Sequence, residues 1–393
     1  MPLVAVASWA EPADCTTMLR CAIVPPVPVP YREALFQRLA ERDELTVQIV
    51  YQASSQASWD QSENWFPAAH RYAAVHLRPR QIARPGRSPI TWPRGLEATL
   101  SAFAPDVVVV SEFGPATLRA LAWCRARRRA LVVLTEVTTA VQLTLARPQR
   151  LVHRWLARRA DGFIAVSAAA RERLLAIGAA PEAVTVSLQP IDEDALTRAL
   201  ATRRPVELAP VEVLAVARLV ADKELGALLD AFAAAALKED EATLRIVGGG
   251  PLERELRERA AALGVPARFS GAIGAGELPA RYASAGLFVL PSRFEPFGVA
   301  LREAVAAGLP VVCSTAVGAA ADLARDGLNA ILVAPGDVAA LAAALDRVCR
   351  DAGLRREMGA ASSAVAAQHP LDADVQAFAA AIKAAARAAR ARR

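Results

Sequence analysis

Two glutamates in the segment Pro291–Pro310 carry the sharpest chemical signal in the sequence. Glu295 and Glu303 are separated by seven residues, and Gly298 and Gly308 indicate the start and end of a helix that contains Glu303. The pattern predicts a helix beginning just after Glu295, with Glu303 roughly two turns in and the carboxylates on the order of 10 Å apart. Such a pair could bind a sugar hydroxyl and a ribose, with free helix N–H groups facing a diphosphate. An ordinary surface charge is the alternative for Glu303.

Two cations follow an earlier predicted strand, Val211–Val216. Arg218 and Lys223 flank the turn after this strand. Because ligands of parallel sheets bind at the carboxyl ends of strands, two cations at this point would suit a pyrophosphate.

A glycine-rich turn, Gly248–Pro251, follows the next predicted strand. Gly249 and Gly250 would let a ligand or another part of the backbone approach closely. Glu253 stands where the dinucleotide-binding fingerprint has its third glycine, so the turn is only a partial match to that motif.

The elements that would position these residues alternate along the chain. A length of 393 residues favours two domains, and 54% hydrophobic with 22% charged residues is typical of a globular protein. Short apolar runs alternate with segments of helical length, which predicts two doubly wound α/β domains with parallel sheets. The predicted strands are Cys21–Val24, Leu45–Tyr51, Ala73–Leu77, Asp106–Ser111, Ala130–Leu134, Gly162–Val166 and Val184–Leu188, then Val211–Val216, Thr243–Val247, Arg268–Ser270, Leu287–Leu290, Val311–Cys313 and Ala330–Val333.

Composition also divides the chain. Residues 1–17 lack the basic start of a signal peptide and predict an extension without fixed structure, with Met18 as a candidate natural start. The segment Leu200–Pro210 has no apolar periodicity and is the best domain boundary. We therefore predict domains at 18–205 and 206–370, followed by a basic helix or tail at 371–393.

Charge and cysteine content restrict the partners and the compartment. The balance of 46 Lys and Arg against 40 Asp and Glu gives a net charge of +6, which suits an anionic substrate, a membrane surface or nucleic acid equally. Five scattered cysteines without a CxxC pair argue against disulfides and zinc and favour the cytoplasm. The four histidines share no ligand spacing, so we expect no metal site.

The segment Gln52–Pro93 interrupts the alternation with aromatic and basic residues. Such a mixture could bind a sugar, a lipid headgroup or a nucleic-acid strand, or it could be a surface excursion packed on its own domain. The basic segment Arg147–Arg159 has an apolar side and could face an anionic lipid, whereas its His153 is interpreted as a surface or packing residue. The aromatic residues of the first segment are Trp59, Trp65, Phe66, Tyr72 and Trp92.

The chemical segments resemble, in their order, the retaining glycosyltransferases of family GT4, which have the GT-B fold. The resemblance rests on ARLVADKE (Ala217–Glu224), VGGGP (Val247–Pro251), Phe269–Gly271 and the Glu295/Glu303 pair, and it runs through most of Val211–Pro335. The first half is similar, more loosely, to a Pro-Tyr-Arg branch of that family that acts in bacterial polysaccharide and glycoconjugate synthesis, here at Pro30–Tyr31–Arg32.

The resemblance implies a GT-B fold, with two Rossmann-like domains facing a cleft and helices at the C-terminus. It implies sugar transfer from a nucleoside-diphosphate sugar to an acceptor hydroxyl, with the acceptor on 18–205 and the donor on 206–370. Arg218 and Lys223 would neutralise the diphosphate, Glu303 would accept hydrogen bonds from the ribose, and Glu295 would hold the transferred sugar. No cofactor or metal ion is implied. The implied donor-binding residues are Gly249, Gly250, Phe269, Gly271, Phe297, Gly298 and Val299.

The acceptor side departs from the family pattern. Many relatives have a histidine after the strand that corresponds to Ala130–Leu134, whereas this sequence has Thr135 and Glu136. Tyr31, Arg32, Glu112 and Glu136 are therefore the candidate acceptor-side residues.

Other interpretations remain open at this point. A sugar-nucleotide epimerase or a glycoside phosphorylase shares the fold, and a non-catalytic nucleotide-binding module is a third possibility. We expect a sugar, lipid-linked or small-molecule acceptor and no nucleic acid. We expect the protein in the cytoplasm, with an anionic membrane surface at the inner face as a possible partner.

Overall fold

The computed structural model of the protein describes residues 18–54, 69–84, 87–203, 205 and 207–392. The predicted extension at 1–17 lies outside the described residues, as do Trp59, Trp65 and Phe66.

The first domain is built on one parallel sheet of seven strands. The seven strands are β1 (Leu19–Val24), β2 (Leu45–Tyr51), β3 (Ala74–His76), β6 (Val107–Ser111), β7 (Ala130–Thr135), β8 (Gly162–Ala165) and β9 (Val184–Val186). Two further strands, β4 (Arg78–Arg84) and β5 (Arg87–Arg94), form a separate hairpin between β3 and β6 in the chain. The sheet order is β3-β2-β1-β6-β7-β8-β9. Strands β6 and β7 are buried throughout, because helices cover both faces of the sheet. The winding reverses between β1 and β6, which leaves a crevice at their carboxyl ends.

The second domain repeats this plan with six strands. They are β10 (Val211–Val216), β11 (Ala242–Val247), β12 (Ala267–Phe269), β13 (Leu287–Leu290), β14 (Val311–Ser314) and β15 (Ala330–Val333). All pairings are parallel, in the order β12-β11-β10-β13-β14-β15. The reversal falls between β10 and β13, so the loops after these two strands border the second crevice. Every strand predicted from the sequence is confirmed, with ends shifted by at most two residues.

The hairpin of β4 and β5 is a feature that the sequence did not predict. The two strands pair antiparallel, with a register shift between Ile82 and Arg84. Their sequences, RPRQIAR and RSPITWPR, contain prolines and lack a regular alternation of apolar and polar residues, so the usual strand signal is absent.

Helices connect the strands and cover both sheets. In the first domain they are α1 (Pro30–Ala40), α2 (Leu96–Phe103), α3 (Pro115–Arg127), α4 (Thr139–Thr144), α5 (Arg147–Ala157), α6 (Ala168–Ala176) and α7 (Glu193–Leu200). They continue with α8 (Leu225–Ala234), α9 (Glu253–Leu263), α10 (Leu278–Ser284), α11 (Val299–Ala306), α12 (Ala320–Leu323), α13 (Val338–Arg350), α14 (Ala352–Ala366) and α15 (Leu371–Ala391). Among the described residues, none of the helices is long and apolar enough to cross a bilayer.

The C-terminal helix α15 lies in the segment 371–393, which the sequence predicts as a basic helix or tail. It packs across the sheet of the first domain, against β6 to β9 and α1. Val375, Phe378 and Ile382 are buried on this face, while Lys383 bonds Glu44 at 3.0 Å. The alanines that look like low complexity in the sequence allow the helix to lie close to the strands. The chain therefore crosses back from the second domain to finish the first.

Candidate active site

Three of the predicted donor residues lie on the two loops that border the second crevice. Lys223 follows β10 and is 7% exposed, and its Nζ lies 2.5 Å from Oε2 of Glu295, which follows β13. Arg218 is exposed, and it belongs to none of the ion pairs found in the described part of the chain. The structure thus joins Lys223 to Glu295 and leaves the Arg218 side chain exposed.

The start of α11 differs from the prediction. The helix begins at Val299 rather than just after Glu295, because residues 295–297 bond to a neighbouring loop instead. The N–H groups of Gly318 and Ala319 donate to the carbonyls of Glu295 and Phe297, both at 2.9 Å. Glu303 therefore lies little more than one turn into the helix. No side chain caps the N-terminus of α11, so its first N–H groups stay available to a ligand.

Glu303 lies against Tyr282, a residue that the sequence analysis missed. The Tyr282 hydroxyl donates to Oε2 of Glu303 at 2.6 Å. Burial raises the pKa of Glu303 to about 7, and the charge of Asp192 adds to the effect. Glu303, Tyr282 and Tyr31 line a cavity of about 110 Å³ between α1 of the first domain and α10 of the second. No motif marks Tyr282, since its role depends on how α10 packs on α11.

The glycine-rich turn mainly allows two loops to pack together. A Cβ atom on Gly248 would lie 1.9 Å from the carbonyl oxygen of Ala217, and one on Gly250 would lie 2.6 Å from that of Leu219. The Leu219 N–H donates to the Gly249 carbonyl at 2.9 Å. Side chains at Gly248 and Gly250 would therefore displace the loop that carries Arg218.

The remaining predicted donor residues lie at the end of β12 and at the start of α11. Phe269 ends β12 with its ring under Arg257, 4.8 Å from the guanidinium carbon, and Gly271 bonds Gly248 through its carbonyl. The Phe297 ring is buried in the core, so only its backbone can face a ligand beside Gly298.

Three of the acceptor-side candidates, Arg32, Glu112 and Glu136, belong to one hydrogen-bonded group at the crevice of the first domain, whereas Tyr31 lines the cavity beside Glu303. Arg32 on α1 donates to Gln189 at 3.2 Å, and Gln189 donates to Oε2 of Glu136 at 3.2 Å. Glu112 accepts from the Glu136 N–H and from the Thr135 hydroxyl, each at 2.8 Å. The sequence had identified every member except Gln189 and Thr135 as a site residue.

The backbone and charge of Glu112 are both unusual. Its φ of 64° lies in the left-handed region, which costs a residue with a side chain on the order of 1 kcal/mol. Burial, followed by the charge of Glu136, raises the pKa of Glu112 to about 7, and burial also raises that of Glu136. Two crowded carboxyl groups whose pKa values are raised in a crevice are typical of a functional site.

Arg302 fixes the hinge between the domains next to Glu303. It is buried and donates to the carbonyls of Gln189 and His369, at 2.5 and 2.8 Å. It also pairs with Asp374 of α15 at 2.7 Å. A second link is Asp322, whose carboxylate accepts from the Ala168 N–H at the start of α6. Sequence reasoning missed both links because each joins residues that are distant in the sequence, 67 positions apart in the nearest case.

Two family models match the chain, one in each domain. The model described as glycosyl transferases group 1 matches residues 203–364, and the model described as Glycosyltransferase Family 4 matches residues 33–195. Together with the two Rossmann-like sheets, these matches place the chain in the GT4 family of glycosyltransferases, with the GT-B fold.

Similar proteins agree with this assignment. Glycogen synthase of Mycobacterium tuberculosis is 34% identical over 210 residues, which cover 53% of this chain and 50% of that protein. Sulfoquinovosyl transferase SQD2 of Arabidopsis thaliana is 28% identical over 67% of this chain and 53% of its own length. The chain thus spans about half the length of these curated relatives. The crystal structure of Anabaena HepE with UDP shares the fold at a TM-score of 0.71 and 20% identity, covering 92% of this chain and 98% of that one.

Proposed function

We propose that the protein transfers a sugar from a nucleoside-diphosphate sugar to an acceptor hydroxyl, with retention at the anomeric carbon and without a metal ion. The observation that carries the proposal is the arrangement at the second crevice, where the part-buried Lys223–Glu295 pair lies on loops that also carry the uncapped start of α11 and Arg218, which has no ion-pair partner among the described residues. HepE was crystallised with UDP and with UDP-glucose, which supports a UDP-sugar as the first donor to test.

Leaving-group stabilisation is the main chemical task. When the bond between the anomeric carbon and the β-phosphate oxygen breaks, negative charge grows on the diphosphate. Arg218, Lys223 and the first N–H groups of α11 would stabilise this charge more in the transition state than in the ground state, which accelerates the reaction. The acceptor oxygen forms the new bond on the same face of the sugar, and its proton passes to the departing phosphate.

The two glutamates would orient the donor. Glu295 would accept hydrogen bonds from hydroxyls of the transferred sugar, with Lys223 holding it in place. Glu303 would accept hydrogen bonds from the ribose hydroxyls, while its Oε2 accepts one from the Tyr282 hydroxyl. In this arrangement neither carboxylate acts as a nucleophile.

The acceptor would bind to the first domain. Glu136 and the Arg32–Gln189 group line the crevice there, and the charges of Glu295 and Lys223 influence Glu136 from the other domain. A hydroxyl bound by Glu136 would therefore lie close to the transferred sugar. The acceptor is a sugar, a lipid-linked glycan or a small molecule.

An anionic membrane surface is the proposed place of the reaction. Leu151 and Trp155 on α5 are 65% and 42% exposed, and Arg147, Arg150 and Arg154 lie on the same helix. An exposed apolar pair flanked by arginines suits the interface of an anionic bilayer. The protein would then work at the cytoplasmic face of a membrane, in the synthesis of a polysaccharide, glycolipid or other glycoconjugate.

The test is the release of nucleoside diphosphate from a panel of sugar nucleotides, measured with and without candidate acceptors. Release of UDP with transfer to an acceptor and retained anomeric configuration supports the proposal. Conversion of the donor without release of UDP would indicate an epimerase, and a requirement for free phosphate with a glycoside would indicate a phosphorylase.

The same assay tests metal independence. Within the described ranges, no three His, Cys, Asp or Glu side chains are grouped so as to hold a metal ion. The two D-x-D sequences have structural roles, since Asp192 caps α7 while Asp372 and Asp374 lie in the first turn of α15. Transfer should therefore survive EDTA, and loss of activity restored by Mg²⁺ or Mn²⁺ would contradict this part of the proposal.

A further inference from the structure

A cavity of about 440 Å³ lies beside Glu112, at the carboxyl end of β6, and the donor site does not use it. Its walls come from the turn between β6 and α3, from Ile90 and Thr91 of the β4–β5 hairpin, and from α5. This volume is enough for a small polar group and part of the molecule attached to it.

Two buried side chains on the wall have hydrogen-bonding groups to offer. Ser111 is 7% exposed, and its Oγ has no hydrogen-bond partner among the described residues. His153 is also buried, and its Nδ1 lies 2.5 Å from Nη2 of Arg173. Because a guanidinium can only donate, Nδ1 must accept, and the ring proton of His153 is therefore on Nε2.

Arg173 places a buried positive charge behind this wall, and the charge of Glu112 acts on it. It is 1% exposed, donates to Gln142 at 2.6 Å and lies over the ring of Phe113. None of the ion pairs in the described part of the chain includes it, and its Nη1 is buried without a partner. Burial lowers its pKa to about 10, so it remains a cation at neutral pH. Because the pKa of Glu112 is raised to about 7, this carboxyl group is only partly ionised at neutral pH, and a bound anion would stabilise the Arg173 cation further.

The N-terminus of α3 adds a third source of positive potential. The helix has 13 residues and begins at Pro115 after Gly114, and no side chain caps it. Gly114, Pro115 and Ala116 all line the cavity. The nearest carboxyl group, that of Glu112, uses both oxygens on Thr135 and Glu136.

We propose that this cavity binds the phosphate group of the acceptor, with oxygens taken by the Ser111 hydroxyl, the His153 Nε2–H and the start of α3, and with Arg173 as the counter-charge behind them. The inference rests on the proposed function in one respect, that the phosphate belongs to the acceptor; the binding of a phosphate group in this cavity does not depend on it. The adjacent Glu112 holds the Glu136 loop, so an acceptor bound here by its phosphate would extend its hydroxyl end into the crevice.

The imidazole signal of His153 tests binding independently of transfer. It is followed by NMR at constant pH while inorganic phosphate is added, and His369 serves as the internal control. We expect a saturable change in the chemical shift of His153 alone.

Glycerol phosphate and dihexanoyl phosphatidylglycerol, a soluble lipid analogue, then distinguish the source of the phosphate. A change with the first indicates a soluble phosphomonoester, and a change with the second indicates a lipid headgroup. A shift produced by glucose but not by phosphate would overturn the proposal.

Substitutions test whether Arg173 and Ser111 contribute to the His153 response to phosphate. Arg173→Met should weaken phosphate binding at His153 about tenfold, and Ser111→Ala about threefold. Ser111→Ala should fold normally, because its hydroxyl has no partner to lose, and it keeps the test decisive if Arg173→Met does not fold. Ser292→Ala, which removes another buried hydroxyl without a partner, should leave the His153 response unchanged. An unaltered response in Ser111→Ala, or no response at all in the native protein, would contradict the assignment. If the native protein shows the His153 response to phosphate but transfers no sugar from any donor of the panel, the proposed function is contradicted and the phosphate site is not.

Discussion

Lys223 and Glu295 form a part-buried ion pair, with 2.5 Å between Nζ and Oε2, although the family resemblance implies that they bind different parts of a substrate. The Lys223 side chain is 9% exposed and that of Glu295 17%. The pair is therefore built before a donor arrives, so each residue holds the other in position. A preorganised charge of this kind needs little rearrangement during reaction.

Loss of either cation should lower turnover without a comparable loss of stability. We expect Arg218→Ala and Lys223→Ala each to reduce kcat with UDP-glucose about a hundredfold, because each removes a charge that stabilises the leaving diphosphate. Arg254→Ala is the matched control, since Arg254 forms an exposed pair within α9 and should change neither kcat nor Tm. Near-normal turnover in both variants would refute the assignment of these residues to the diphosphate.

The two glutamates should separate in a comparison of UDP affinity with transfer rate. Glu303→Gln should weaken UDP binding through the ribose, because an amide is a weaker acceptor than a carboxylate. Glu295→Ala should reduce transfer more than it reduces UDP affinity, because it removes a contact to the sugar, which UDP lacks. Calorimetric titration with UDP and a single-turnover transfer assay measure the two effects. An equal loss of UDP affinity in both variants would argue against this division.

Stability should fall as pH rises through the range in which Glu303 ionises. Its pKa is about 7 in the folded protein against 4.5 ordinarily, so the folded state holds the proton more tightly. The corresponding stabilisation is full below pH 4.5 and is lost as the pH rises to about 7, and it amounts to about 1–2 kcal/mol after allowance for solvent screening.

Denaturant unfolding at several pH values checks this contribution. Glu303→Gln stays neutral throughout, so its stability should decline less over the same range, and the amide oxygen can still accept from Tyr282. Glu255→Gln, on the exposed face of α9, should keep the native profile. If the unfolding free energy of Glu303→Gln depended on pH as that of the native protein does, Glu303 would be ionised in the folded protein.

The sequence predicted the two parallel sheets well because most of their strands are short apolar runs, as is typical of strands buried on both faces. It also pointed to Lys223 and Glu295, which lie on loops that follow such strands, and to Glu303, which lies on α11; their roles are predictions. It failed where the deciding interaction is distant, as for Tyr282, Gln189 and Arg302. The start of α11 was misplaced because the segment 295–297 bonds to residues 318 and 319, and local helix signals carry no information about that partner.

The position of α15 leads to a further prediction, at the hinge. Asp374→Asn would leave Arg302 buried without its counter-charge and should cost about 3–5 kcal/mol of unfolding free energy. UDP affinity should fall as well, because Arg302 precedes Glu303 on α11. Asp372→Asn is the matched control, since Asp372 pairs with Arg38 at the surface and is 67% exposed, and its loss should cost at most about 0.5 kcal/mol. Equal effects of the two substitutions would show that the Arg302–Asp374 pair does not hold the domains together.

Membrane association should depend on the exposed face of α5 and on salt. Each arginine near an anionic bilayer contributes about 1 kcal/mol, so Arg147, Arg150 and Arg154 together with Trp155 should bind vesicles that contain phosphatidylglycerol. Binding should weaken between low and physiological salt, because ions screen the attraction. In co-sedimentation, Trp155→Ser should reduce the bound fraction severalfold, since it removes the largest apolar side chain of this face. The control is Leu328→Ser, an equally exposed apolar residue of the second domain, which should bind as the native protein does. If the native protein stays in the supernatant with anionic vesicles even at low salt, the acceptor is reached from solution, and the arginines of α5 need another explanation.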